Sequence, residues 1–393
     1  MLIRKRMAAA LVAIGAVLGA PGVVAAQECE LKLGVVGPFS GGAAQWGIAM
    51  RTGVEFAVLE VNSKGGLPVG DKKCHVQTIE VDAKYSAQGA ASAANRLASE
   101  KVRFVMGPVG SPEVSGIKPV ATRYHMLLML NSYAKNAIGP EWPLAFHVSP
   151  GPSGWAAPLV EVAKEKFGME NVVIIAPNDQ GGTDIAPVVA KAYEQQGIES
   201  TEEYFKRGTA NFSPLVARVL DINPDAVDLV STPTVEAGTL VKQLRQAGFE
   251  GPIGKLGGPG TEEIARIAGG MNVLGNYYWF EPVLIDEQTE KMTQRYTELA
   301  GSEPPDHTFF YLWAAGTRMV LKAISEAGTI EDTELVAQTL RELPVKDKNL
   351  GDGLWIGQKF FGINQELSLP FGMGIIEDGV QQPMIRMPAA TGN

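Results

Sequence analysis

Hydrophobic and polar positions along this chain follow two periods. Short apolar runs, at 31–36, 102–107, 126–130 and 171–176, read as buried strands. Between them lie longer segments with apolar residues every three or four positions, which read as helices. Over 44–62, Met50, Val54, Ala57, Val58 and Val61 share one side, and Lys64-Gly65-Gly66-Leu67-Pro68 supplies the stop signals. A strand over 76–81, an alanine-rich helix over 86–101 and a helix over 113–124 complete a first series. A second series opens near Pro150, with helices over 155–167, 185–196, 212–220 and 235–247. They alternate with strands over 171–176, 203–205, 227–231 and 253–256. Turn-rich stretches at 138–143 and 149–154 lie between the two series. Such alternation predicts parallel sheets with helices on both faces, so the expected fold class is α/β with two doubly wound halves. No third unit follows Pro282; helices over 288–299, 309–327 and 333–343 lead into a strand-rich tail over 354–387.

Two parallel-sheet halves leave a cleft between them, and ligands bind such sheets beyond the carboxyl ends of the strands. The turns after the strands are therefore the candidate site. The first, GPFSGGAAQWG over 37–47, has the glycines of a phosphate cradle but neither the lysine nor the spacing of one. Its backbone N–H groups and helix start suit a single carboxylate, and Trp46 can form a flat apolar wall. Ser111 precedes a helix and can cap it or hold an anion. Asn131, Ser132 and Tyr133 end a strand with three side chains suited to recognition. Asp179 and Asp184 follow another strand and could cap a helix or meet a cation. Thr234 and the glycines from Gly257 to Gly260 end two more.

No metal is expected, because His75, His125, His147 and His307 are scattered without ligand spacing; each is expected to be structural or exposed. No catalytic residue and no cofactor are expected either, since nucleophile elbows and zinc motifs are absent. The aromatic cluster Phe309, Phe310, Tyr311 and Trp313 reads as core. Of the alternating Tyr277, Tyr278 and Trp279, one could face the cleft.

The amino terminus stands apart. Arg4, Lys5 and Arg6, a short apolar run over 7–20 and the small residues Val24-Ala25-Ala26 read as a signal peptide cleaved after Ala26. Gln27 and Glu28 before Cys29 do not fit a lipidation signal. Losing those three cations takes the net charge from −9 to −12, which argues against nucleic acid or anionic lipid as partners. With 45% hydrophobic and 20% charged residues, the composition is that of a globular domain rather than a disordered chain. The two cysteines, Cys29 and Cys74, each precede a strand. If those strands are parallel neighbours, a disulfide between them is geometrically plausible, and an exported chain would form it.

The 37–47 stretch, with Gly53, Ala57, Asn62, the Lys64-Gly65-Gly66 stop, Val81-Asp82-Ala83, 92–97, Phe104-Val105-Met106-Gly107 and 243–249, resembles the periplasmic leucine/isoleucine/valine-binding proteins. These are solute receptors of ABC importers with the type I periplasmic binding fold. The resemblance spans nearly the whole mature chain. It implies two lobes joined by three crossovers that close on a ligand by hinge motion. The expected division is a leader over 1–26, a first lobe from 27–148 and 283–360, and a second from 149–282 and 361–393. It also implies roles: Trp46 walls the ligand side chain, Ser111 holds the carboxylate and Ser132 contacts the amino-acid head. The chain departs from the family pattern where Ala134 replaces a threonine, Gly181 a tyrosine, and Gly257 the acid that pairs with a ligand ammonium. Asp179, Asp184 or Glu236 would have to supply that counter-charge. Otherwise the ligand is a carboxylate of another kind, an aromatic acid among them. The implied partners are a small molecule in the interdomain cleft and the ABC permease subunits of the inner membrane, with the receptor a periplasmic monomer. A ligand-sensing module without a transport role and an enzyme using the same cleft are the other readings.

Overall fold

The computed structural model describes residues 29–392; the expected leader lies outside the described residues. The first lobe begins with β1 (Cys29–Gly37), α1 (Ala44–Asn62), β2 (Leu67–Val69), β3 (Lys72–Asp82) and α2 (Ala87–Ser99). It continues through β4 (Phe104–Val109), α3 (Ser111–Arg123), β5 (Leu127–Asn131) and β6 (Ala145–His147). The chain then enters the second lobe with α4 (Pro152–Phe167), β7 (Asn171–Pro177), α5 (Gln180–Gln195), β8 (Glu199–Phe205) and α6 (Ser213–Ile222). There follow β9 (Ala226–Asp228), α7 (Thr234–Gln246), β10 (Ile253–Lys255), α8 (Thr261–Ala268), α9 (Met271–Leu274) and β11 (Tyr277–Glu281). It returns to the first lobe with α10 (Glu287–Ala300), α11 (Phe309–Ala327), α12 (Thr333–Glu342), β12 (Lys346–Asp347), β13 (Gly351–Asp352), β14 (Leu354–Ile356), α13 (Gln358–Phe361) and β15 (Glu366–Ser368). It ends in the second lobe with β16 (Phe371–Glu377), β17 (Val380–Gln381) and β18 (Ile385–Met387).

One eight-stranded sheet has the order β14-β15-β6-β5-β4-β1-β3-β2, and the other runs β17-β16-β11-β10-β9-β7-β8 with β18 paired to β16. The lobes are thus joined at three places, after β6, after β11 and between β15 and β16. Strands β1, β4, β5 and β6 are parallel neighbours, as are β8, β7, β9, β10 and β11, so their carboxyl ends face the same way within each lobe. Strand β5 is buried along its whole length, which is why it reads as a continuous apolar run rather than an alternating one. Helix α11 is apolar on most of its circumference because it packs between the sheet and α1. Gly53 permits that approach: a Cβ there would lie 2.3 Å from the Phe310 carbonyl oxygen. Strands β1 and β3 pair in parallel with Cys29 opposite Cys74, and a disulfide joins the two.

Several expectations shift. The third crossing falls between Ser368 and Phe371 rather than at 360, because Glu366 of β15 pairs with His147 of β6 in the first sheet. Helix α5 starts at Gln180, capped by the Asp179 carboxylate, which accepts from the Gly182 N–H at 3.1 Å. The strand expected to reach Ser231 stops at Asp228, and Ser231 turns the chain with φ 54°. Tyr277, Tyr278 and Trp279 are all buried in the second lobe, and none lines the cleft. Strand β6 and helix α8 were not anticipated: one is three residues long beside a proline-rich turn, the other starts in a glycine run.

Candidate ligand site in the cleft

The carboxyl ends of both sheets meet across the cleft on a cavity of ≈ 20 Å³. That is room for about one water molecule, so a solute can enter only when the lobes part. Trp46, Tyr85, Val109, Gly110, Ser111, Asn131, Ser132, Tyr133 and Phe309 line it from the first lobe, Ser231 and Gly258 from the second. None of these residues carries a formal charge at neutral pH; four are aromatic. Burial pushes the phenols of Tyr85 and Tyr133 above their usual range, so both remain neutral donors.

Ser111 opens α3, and the Ser132 hydroxyl donates to its Oγ at 2.9 Å. Two hydroxyls and a helix start converge here, an arrangement suited to a carboxylate. The Ala134 N–H donates to Ser132 Oγ at 3.1 Å, so Ala134 supports the pair from behind the lining. Gly181 closes over them from the second lobe: a Cβ at this position would lie 2.9 Å from Ser111 Oγ. Gly257 has φ +87°, and a Cβ there would come 3.1 Å from the Tyr133 ring. Tyr133 therefore fills, from the opposite lobe, the space a side chain at 257 would take. Its ring lies edge-on to Trp155, with centroids 5.9 Å apart.

The charged groups sit around this cavity rather than in its lining. Asp179 accepts from Arg207 Nε at 2.6 Å, and the Arg207 guanidinium lies 4.4 Å over the Tyr85 ring of the other lobe. Asp184 accepts from the Lys135 N–H at 2.9 Å, again between lobes. Glu236 accepts from the Gly208 N–H at 3.1 Å through Oε1, while its buried Oε2 has no partner and faces the turn at Gly42. Thr234 is buried beneath the lining, its hydroxyl without a partner beside Gly260. Behind Tyr85, Glu113 accepts from the Tyr85 N–H at 2.8 Å, and burial pushes its carboxyl well above the usual range.

The second-lobe wall rests on a buried lysine. Lys255 Nζ donates to the carbonyls of Gly257 at 2.5 Å and Gly258 at 2.8 Å. Burial pushes Lys255 down to about 7 and its neighbour Asp228 up to about 6. The expected residues Trp46, Ser111, Ser132 and Tyr133 come together in the lining; Ala134, Gly181 and Gly257 pack directly against it; Asp179 and Thr234 stand outside it. Tyr85 and Arg207 were missed. Both follow carboxyl ends of strands, β3 and β8, and that rule, applied to every strand, would have nominated them.

Two α/β lobes, three crossings and a polar–aromatic cavity at the facing strand ends define a solute receptor of the type I periplasmic binding fold. The chain belongs to the periplasmic binding protein family, which it matches over residues 30–366. That family is one of substrate-binding proteins, not enzymes. The leucine-, isoleucine-, valine-, threonine- and alanine-binding protein of Pseudomonas aeruginosa is 24% identical over 319 residues, covering 79% of this chain and 82% of that protein. The Leu/Ile/Val-binding protein BraC3 of Rhizobium johnstonii is 25% identical, covering 80% and 84%. Among solved structures, the branched-chain amino acid substrate-binding protein LivJ of Streptococcus pneumoniae, in complex with isoleucine, matches with TM-score 0.76 at 21% identity, over 91% of this chain and 99% of that one. A solute-binding protein from R. palustris in complex with 4-hydroxybenzoate matches equally well, with TM-score 0.76 at 17% identity, over 92% and 98%. Among the described residues, no helix is long and apolar enough to cross a membrane.

Proposed function

We propose that this protein is the periplasmic solute-binding component of an ABC importer, exported by cleavage after Ala26 and acting as a monomer. It captures a small carboxylate in the cleft and delivers it to the permease subunits in the inner membrane. The observation that carries this reading is the Ser111–Ser132 hydroxyl pair at the start of α3, set in an aromatic-walled cavity between the lobes. The names of the sequence relatives favour a branched-chain amino acid as the solute. The lining favours a carboxylate without an α-ammonium, such as an aromatic acid: it contains no carboxylate, Asp179 and Asp184 are already engaged, and the unpartnered Glu236 Oε2 faces the Gly42 turn outside the lining. An ammonium buried there without a counter-charge would be costly. The test is a thermal-shift screen of the mature protein against L-leucine, L-valine, benzoate and 4-hydroxybenzoate, because a ligand that binds only the folded state raises stability by mass action. A shift with any of the four supports a carboxylate receptor, and the pattern separates the two ligand classes. No shift with any of them overturns the reading.

A further inference from the structure

His147 is the last residue of β6, just before the first crossing between lobes, and its side chain is fully buried. Its Nδ1 meets the carbonyl of Ser149. Its Nε2 lies 2.7 Å from both the N–H and the carbonyl oxygen of Ser132. Burial favours a neutral ring, which has one proton. Carbonyls only accept. Placed on Nδ1, the proton satisfies the Ser149 carbonyl and leaves Nε2 to accept from the Ser132 N–H; placed on Nε2, it would leave the Nδ1 lone pair facing the Ser149 carbonyl. The Ser132 N–H therefore donates to Nε2. Ser132 in turn donates its hydroxyl to Ser111 in the cavity.

The same imidazole stands beside the hinge on its other side. Asn131 Nδ2 donates to Ser149 Oγ at 3.1 Å. The Gly151 N–H donates to Glu366 Oε1 at 2.7 Å, and that oxygen lies 4.0 Å from His147 Nδ1. Ser149 and Gly151 belong to the first crossing, and Glu366 is in the strand that leads to the third. A polar path therefore runs from the hydroxyl pair in the cavity, through one histidine, to the first crossing, and the Gly151–Glu366 bond ties that crossing to the strand leading to the third. An apolar residue could fill the space of the ring, but it would leave the Ser132 N–H and the Ser149 carbonyl buried without this partner.

We propose that His147 is a positioning residue that couples the hold on the ligand to the rotation of the lobes. It fixes the Ser132 backbone against the first crossing, so the Ser111–Ser132 pair and the hinge move together. This rests on the cleft being the ligand site, as proposed above. Two variants separate the role from mere packing: His147→Leu removes both polar contacts, and His147→Gln retains an acceptor within reach of Ser132.

Amide hydrogen exchange of the ligand-free mature protein reads the contact directly. His147→Leu is expected to speed exchange at Ser132 by about tenfold or more, with β1 and β4 unchanged, and His147→Gln to restore much of the protection. Equal protection at Ser132 in all three proteins overturns the proposal. Affinity for L-leucine and 4-hydroxybenzoate then reads the coupling, in a cycle of Ser111→Ala, His147→Leu and the double variant. Coupled residues give a double variant whose loss is smaller than the product of the single losses by about threefold or more. Losses that simply multiply overturn the proposal. If neither probe binds the wild-type protein, the ligand reading fails for these two solutes, and the exchange experiment alone decides the role of His147.

Discussion

Trp46 and Pro259 hold the lobes together: the indole Nε1 of the first lobe donates to the carbonyl of the second at 3.0 Å. Both groups are buried at the cleft, and the indole also packs on Gly258, where a Cβ would lie 2.8 Å from the ring. Along another edge of the cleft, the Lys135 N–H donates to Asp184 and Gln180 Nε2 donates to Asn136 Oδ1 at 2.8 Å. Closure is thus secured by direct contacts between lobes at the rim as well as by any ligand. Trp46 has two separable parts in this, an aromatic wall and a single N–H.

Trp46→Phe keeps an aromatic wall and removes the N–H. The Pro259 carbonyl loses its partner only when the lobes are closed, so the cost falls on the closed, ligand-bound form. Affinity is expected to drop by about 1 kcal/mol, near fivefold, mostly through faster dissociation. Ligand-free stability should change by less than about 0.5 kcal/mol if the free protein is mostly open. Stopped-flow fluorescence and urea unfolding check the two halves; unchanged dissociation would show that the bond contributes nothing to closure.

Lys255→Met removes the ammonium that binds the Gly257 and Gly258 carbonyls and leaves Asp228 without its neighbouring cation. Methionine fills much of the same volume, so the loss is chiefly of hydrogen bonds and charge. Two buried carbonyls without partners should cost about 2–4 kcal/mol in urea unfolding. The turn that carries Pro259 should also loosen, lowering ligand affinity. A variant as stable as the wild type would mean that the lysine contributes no net stability to that turn.

The architecture was largely legible because it is periodic. The boundaries 44–62 and 309–327 read from apolar spacing match α1 and α11 as observed. The lining of the candidate site was legible in halves. Ser111, Ser132 and Trp46 sit at ends of long, unmistakable elements, and the strand-end rule found them. Tyr85 and Arg207 sit in short turns, and their meaning comes from each other across the cleft, over a sequence separation no local pattern spans. His147 fails for a related reason. A lone histidine in a three-residue strand carries no spacing signal, and its partners Ser132 and Glu366 lie on either side of it in the sequence, the second in a distant strand.

The disulfide between Cys29 and Cys74 closes a loop with a sequence separation of 45 residues. In the chain-entropy model a loop of that size adds about 4 kcal/mol. Cys29→Ser with Cys74→Ser should lower the unfolding free energy by up to about that amount. Both residues lie at the amino ends of β1 and β3, the ends opposite the cleft. Ligand affinity at a temperature where the variant stays folded should therefore be unchanged. A tenfold loss of affinity would contradict that placement.

Two buried carboxyls beside the crossings contribute to the pH dependence of stability. Burial pushes Glu366 up to about 8, against a pull downward from the Gly151 N–H. Glu281, at the end of β11, is also pushed up to about 8, by burial first and by Glu262 second, while bonds from Thr308 and Trp279 oppose the shift. An unfolded glutamate titrates near 4.5. Between those values the folded chain holds protons that the unfolded chain has released, so stability falls as pH rises through the window. Asp228, raised to about 6, adds to the fall at its lower end. Lys255, depressed to about 7, acts in the opposite sense, but only above about 7, where the folded chain has lost a proton the unfolded chain keeps. His307, depressed to about 4, and His147, also depressed by burial, oppose the fall below about 6.5, where the unfolded chain keeps protons the folded chain has lost. The carboxyls are therefore read from about pH 5 to about pH 7 by comparison with a variant. In urea unfolding, Glu366→Gln, which cannot ionise, should lose less stability than the wild type as pH rises across that range, by about 1–2 kcal/mol. An identical pH dependence in the variant would mean that Glu366 keeps the same protonation in both states across that range.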